Sequence, residues 1–230
     1  MDELLQIRNL TKTYGKKVVL NNIDISFEKG KIYSIIGVNG AGKTTFFSCV
    51  DGDILFDEGE ISLVENGISR KVDFDDIGLV SDSPILPDFL TGYEFINFFT
   101  ELHKPDNRES IDEYFNMVRI NDTDRHKLIK NYSFGMKNKV QLLCSIIRKP
   151  KIILLDEPLS SFDIIVSHDI KELLIRMKKD HIIVMSTHIM QLAQDISDEI
   201  VLLKDGSMKK LTELDIKSTD FEQYLINELS

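Results

Sequence analysis

An apolar run, Lys31-Ile32-Tyr33-Ser34-Ile35-Ile36, passes straight into Gly37-Val38-Asn39-Gly40-Ala41-Gly42-Lys43-Thr44-Thr45, and a helix-forming stretch follows. Strand, glycine-rich turn and helix in this order leave little freedom in the local geometry. Glycines let the backbone turn tightly enough to aim successive N–H groups at one point, and a helix starting near Lys43 adds the positive end of its dipole. Such a loop suits phosphate oxygens. Residues Gly37, Val38, Asn39, Gly40, Ala41, Gly42, Lys43, Thr44 and Thr45 are therefore the expected nucleotide-binding segment. Within it, Lys43 should reach the outer phosphates as a point charge, and the Thr44 hydroxyl should ligate the Mg2+ that accompanies a nucleoside triphosphate.

The rest of the chain supplies a sheet for that loop. Short β-like runs alternate with helical stretches, the pattern of an α/β protein with a mainly parallel sheet, and 42% hydrophobic residues over 230 positions suffice for a buried core. The opening third differs, because Leu4 to Leu10, Val18 to Phe27 and Gly59 to Val64 are strand-like with few helices between them, which predicts a small antiparallel β layer. From Pro84 to Pro150 helices dominate. Thr91 with Glu94, and Ser110 with Glu113, have the spacing of capping boxes. Between them Tyr93, Phe95, Ile96, Phe98, Phe99 and Leu102 make a helix too apolar for a fully solvated surface, suited to core packing or to another protein. After Pro150, Ile152–Leu155, Ile164–Met177 and Ile182–Met185 restore the alternation, and Asp220 to Leu229 reads as a terminal amphipathic helix.

Two of those later strands end in chemistry. Ile152-Ile153-Leu154-Leu155 runs into Asp156-Glu157-Pro158, placing acids at the carboxyl end of a buried strand, where open α/β sheets bind ligands. Asp156 is expected to hold Mg2+, and Glu157 to polarise a water in line with the terminal phosphate. His188 follows the strand Ile182 to Thr187 and, if the strands are parallel, stands at the same edge, able to hydrogen-bond phosphate and water. His103, His126, His168 and His181 lie among polar neighbours and receive no such role, while Cys49 and Cys144 read as buried thiols.

Tyr132-Ser133-Phe134-Gly135-Met136-Lys137 lies between the phosphate loop and the acidic strand and resembles the signature motif of ATP-binding cassette (ABC) ATPases. The order continues as in that family: Ser160-Ser161-Phe162-Asp163 resembles its D-loop, His188 its switch histidine, and Tyr14 the aromatic that stacks on adenine. The resemblance covers almost the whole chain. It implies a P-loop NTPase (RecA-like) core with an antiparallel β subdomain and an inserted α-helical subdomain. By that resemblance residues 1–230 are expected to form one nucleotide-binding domain, with 1–82 and 151–230 as core plus β subdomain and 83–150 as helical subdomain. It also implies ATP and Mg2+ as cofactors, and a head-to-tail pair in which ATP on one phosphate loop is closed over by Ser133 and the Gly135 N–H of a second cassette, of the same or another chain. Phe134, Met136 and Ser161 depart from the usual motif residues. Ile77-Gly78-Leu79-Val80-Ser81-Asp82 resembles the strand entering the Q-loop, with Asp82 where glutamine is usual; its carboxylate can still reach Mg2+ or water but cannot donate a hydrogen bond.

Composition narrows the setting. With 28 Lys and Arg against 38 Asp and Glu, the net charge of −10 argues against nucleic acid as a partner. No apolar run approaches the roughly 18 to 20 residues of a bilayer span, and the amino end has acids where a secretory signal carries Lys or Arg. The expected setting is cytoplasmic, peripheral on the inner face of the cell membrane through a partner. The resemblance thus implies the ATP-hydrolysing subunit of an exporter-like transporter whose integral membrane subunit is a separate chain, docked at Phe89 to Leu102. The alternative is a soluble cassette acting as an assembly factor, as in iron–sulfur assembly. A guanine-specific switch is disfavoured because Asn138-Lys139-Val140-Gln141 lacks the acid that would accept guanine's hydrogen bonds.

Overall fold

The computed structural model describes residues 3–105, 108–158, 164–211 and 221–229. In chain order its strands are β1 (Glu3–Tyr14), β2 (Lys17–Glu28), β3 (Ile32–Ile36), β4 (Glu58–Glu65), β5 (Ile68–Lys71), β6 (Ile77–Val80), β7 (Ile152–Asp156), β8 (Ile182–Thr187), β9 (Glu199–Lys204) and β10 (Ser207–Lys210). The helices are α1 (Lys43–Asp51), α2 (Gly92–His103), α3 (Ile111–Met117), α4 (Asp122–Arg125), α5 (Phe134–Arg148), α6 (Ile164–Met177), α7 (Met190–Ile196) and α8 (Phe221–Leu229).

Two sheets result. The first is antiparallel with strand order β2-β1-β4-β5; the second runs β10-β9-β3-β8-β7-β6, parallel except for the β9–β10 hairpin. The expected parallel core, antiparallel layer and helical stretch are all present.

The parallel strands are mostly apolar because both of their faces are covered, with polar residues at a few positions such as Ser34, Asp156 and Ser186. Side chains alternate by the two-residue period of a strand. Ile152 and Leu154 of β7, with Ile182 and Val184 of β8, face the antiparallel sheet and the α1 residues Phe46 and Phe47. Ile153 and Leu155, with Ile183 and Met185, face the helices, meeting Leu142 and Leu143 of α5 and Leu174 of α6. On the first side Tyr33 meets Phe27 edge-on with ring centroids 4.9 Å apart, while its hydroxyl accepts from the Glu28 N–H at 2.9 Å. That burial pushes the Tyr33 phenol up to about 12.

Both capping boxes form. Thr91 Oγ1 accepts from the Glu94 N–H while Glu94 accepts from the Thr91 N–H, and Ser110 and Glu113 repeat the exchange. At Gly92 an added Cβ would stand 2.0 Å from the Tyr132 hydroxyl, so the start of α2 is seated directly on the residue that precedes the signature-like serine.

One sequence expectation is corrected. His181 follows Lys178, Lys179 and Asp180, yet it is buried, with Nδ1 against the Pro150 carbonyl. Its place at the entry of β8, beneath the turn before β7, outweighs the polarity of its neighbours in sequence. Cys49 is buried and both cysteines are free.

Candidate nucleotide-binding site

Register alone gathers the site. Ile36 at the end of β3 lies beside Thr187 of β8, and Asp156 at the end of β7 lies beside Ser186. The phosphate-type loop, the acids and His188 therefore leave the sheet at one edge, where ligands bind in folds of this type.

Local sterics shape the loop. A Cβ at Gly37 would lie 2.6 Å from the Leu203 carbonyl oxygen, so only glycine lets β9 pack this closely. Gly42 precedes α1 with φ +112°, a backbone state that side chains strongly disfavour, and no side chain caps the helix there. The first N–H groups of α1 are thus left for an anion. Lys43 is buried, and its ammonium donates to the Gly37 carbonyl at 2.7 Å, folded back across the loop.

A cleft of about 470 Å3 lies over this loop. Its walls include Tyr14, Lys17 and Val19 on one side, Asn39, Gly40 and Gly42 to Thr45 along the loop, and Asp82, Asp156 and Glu157 from the sheet edge. Tyr14 stands half exposed at the rim, with the Lys12 ammonium 5.1 Å from its ring centroid. Thr44 Oγ1 donates to Asp156 Oδ2 at 2.8 Å, and Asp156 Oδ1 accepts from Ser186 Oγ at 2.5 Å. Glu157 has φ +51° although Pro158 follows it, a position that normally selects extended backbone. In that conformation Glu157 Oε2 lies 2.9 Å from His188 Nδ1. The cleft can therefore hold a polyanion over backbone N–H groups while presenting carboxylate oxygens and an acid–imidazole pair.

The structure thus brings Tyr14, Asn39, Gly40, Gly42, Lys43, Thr44, Thr45, Asp82, Asp156 and Glu157 together, with Gly37 attached through Lys43 and His188 through Glu157. Val38 and Ala41 instead face a neighbouring depression of about 460 Å3 that reaches the Asp205–Gly206 turn. Ser133 and Gly135 are not on the wall of the main cleft. Ser133 caps α5, its hydroxyl accepting from the Met136 N–H at 3.2 Å, and both Ser133 and Phe134 are exposed. Ser160 to Asp163 lie outside the described residues. Sequence reasoning missed Lys17 and Ser186. The turn Tyr14-Gly15-Lys16-Lys17 was a usable signal for the first, whereas Ser186 matters only through its strand register with Asp156.

Residues 20–160 match the family model described as "ABC transporter". The chain is similar to the lantibiotic transport ATP-binding protein SrtF of Streptococcus pyogenes, at 30% identity over 227 residues, covering 98% of this chain and 97% of that protein. It is also similar to the bacitracin transport ATP-binding protein BcrA of Enterococcus faecalis, at 25% identity over 235 residues, covering 99% of this chain and 76% of that protein. Among solved structures, an ATP-binding subunit of an ABC transporter superposes with a TM-score of 0.78 at 24% identity, covering 98% of this chain and 97% of that one. A dimeric ATP-binding cassette in a post-hydrolysis state with ADP and Pi gives 0.75 at 24% identity, over 90% of this chain and 98% of that one. Fold, loop and sequence agree: this chain belongs to the ABC transporter family, as an ATP-binding ATPase.

Proposed function

We propose that the chain is the nucleotide-binding subunit of an exporter, hydrolysing ATP at a head-to-tail pair of cassettes to drive substrate through a separate membrane-spanning partner. The observation that carries this reading is the convergence on one cleft of an aromatic rim, a phosphate loop, the Thr44–Asp156 contact and the Glu157–His188 pair. Relatives named for lantibiotic and bacitracin transport support the transport role.

Each residue has a role in that scheme. Tyr14 stacks on adenine, and the N–H groups from Gly37 to Thr45 cradle the phosphates. Lys43 exchanges its bond to the Gly37 carbonyl for the outer phosphates. The hard oxygens of Thr44 and Asp156 already touch, and Asp82 lines the same cleft, which suits a Mg2+ ion held by few protein ligands and by substrate phosphates. When bound, that ion offsets charge on the phosphate oxygens. Glu157 orients and polarises the attacking water, while His188, with Nδ1 turned to Glu157, keeps Nε2 for the terminal phosphate or the water.

Ser133 and the Gly135 N–H, at the exposed start of α5, serve the ATP of the opposite cassette. Residues 83–150 act as the helical unit that carries this second anion site. Among the described residues no helix is long and apolar enough to cross a membrane, so contact with the bilayer's inner face runs through the partner. Its seat is the segment Phe89 to Leu102. Phe98 and Leu102 are exposed there, and Phe95 and Phe99 line a groove of about 200 Å3 with Ile85 and Leu86.

The test is Glu157→Gln with ATP and Mg2+. Phosphate release should fall by about 100- to 10,000-fold while ATP binding persists, and size-exclusion chromatography should show the closed pair. Hydrolysis at the native rate would remove Glu157 from the chemistry. Copurification with a polytopic membrane protein checks the partner.

A further inference from the structure

We propose that Ser186 is a positioning residue for both acids of the site, which deepens the roles given above to Asp156 and Glu157 and rests on them. Ser186 is completely buried near the end of β8, in register with Asp156 of β7. Its Oγ donates to Asp156 Oδ1 at 2.5 Å and accepts from the Glu157 N–H at 3.0 Å. A hydroxyl has one proton and two lone pairs, so the two bonds are made without competition.

Each bond has a separate consequence. The donated proton occupies Asp156 Oδ1 and fixes the carboxylate plane, leaving Oδ2 to face Thr44 Oγ1 at 2.8 Å. The accepted N–H holds the Glu157 peptide where φ is +51°, against the extended conformation that Pro158 favours. Only with that peptide held does Glu157 Oε2 stand 2.9 Å from His188 Nδ1. One side chain that never meets the nucleotide therefore sets the aim of the ion-holding acid and of the water-orienting acid. Alanine at 186 would free the first carboxylate to rotate and leave a half-buried N–H without its acceptor.

The test compares Ser186→Ala and Ser186→Thr in the full chain, with Mn2+ as the probe ion. Partners one step behind a metal-holding carboxylate are typically worth 10- to 100-fold in ion affinity or activity, so Ser186→Ala should weaken Mn2+ binding to the ATP complex, read by paramagnetic resonance, by about that factor. kcat should fall by about as much, while ATP affinity without divalent ion stays within about threefold, because the phosphate loop is untouched. Ser186→Thr, which keeps the hydroxyl, should restore Mn2+ binding and kcat. Native Mn2+ affinity and native kcat in Ser186→Ala overturn the proposal, as does equal loss in both variants, since packing would then be responsible. If the alanine variant does not fold, Ser186→Cys, close in volume and a weak donor, is read by the same criteria. Glu157→Gln run alongside separates the failures: a native rate there removes the hydrolytic reading itself, whereas loss there with an unaffected Ser186→Ala removes only Ser186.

Discussion

Thr44 Oγ1 and Asp156 Oδ2 meet at 2.8 Å across 112 residues of sequence, joining the first turn of α1 to the end of β7. The contact ties the phosphate loop to the acidic strand. Asp156→Asn should keep the contact's shape and lose its charge. ATP binding without divalent ion should be unchanged, while the gain in affinity on adding Mg2+ should largely vanish and kcat fall by about 100-fold or more. Calorimetric titration of ATP with and without Mg2+ reads this directly, and an undiminished Mg2+ effect would place the ion elsewhere.

Tyr14 has a cation on its ring and half of its surface in solvent, so one aromatic face remains for a flat ligand. Stacking of a base on an aromatic side chain is worth about 1–3 kcal/mol. Tyr14→Ala should therefore weaken ATP by about five- to 150-fold, and Tyr14→Phe should bind almost as the native chain. Competition against a fluorescent ATP analogue measures both, and native affinity in the alanine variant would remove the ring from the base site.

Gly92 and Tyr132 are packed too closely for any added atom. Gly92→Ala should cost about 1–3 kcal/mol, because either the Tyr132 ring or the start of α2 has to move. Urea unfolding gives the number. A substitution that leaves the midpoint unchanged would mean that the tyrosine yields freely.

Burial holds the His181 imidazole below its ordinary value, against the opposing pull of the Pro150 carbonyl. Below the unfolded value of 6.5 the unfolded chain takes up a proton that the folded chain refuses. This contribution to stability is therefore complete above that pH and is lost as the pH falls towards the lower folded value. Unfolding free energies of native protein and His181→Gln should converge on acidification between about pH 7 and 5, with the native curve falling more steeply. Parallel slopes would show that the ring titrates alike in both states.

The phosphate loop and the acidic pair were legible in the sequence because each is written in consecutive residues: glycines at fixed spacing, or an apolar run that stops at acids. The capping boxes at Thr91 and Ser110 were legible for the same reason, with their partners only three residues away. What escaped depends on neighbours across strands. Ser186 gains its place only once β7 and β8 pair in parallel register, and His181 is covered by Pro150 from a segment 31 residues distant. The β9–β10 hairpin was signalled by Asp205-Gly206, a dipeptide suited to tight turns, which the expected element order did not use. β5 carries only exposed residues and no alternation, so its mark lay outside it, in the Asn66-Gly67 turn that pairs Glu65 with Ile68 and that the expected element order did not use.

The left-handed backbone at Glu157 also limits which residues can ever stand there. Valine, isoleucine and threonine are barred by their branched Cβ before charge or reach is considered, whereas asparagine and glycine settle readily into such a turn. Variation at this position is filtered first by backbone shape and only then by reactivity, so inactive descendants of this chain should accumulate Asn or Gly at 157 ahead of any aliphatic side chain.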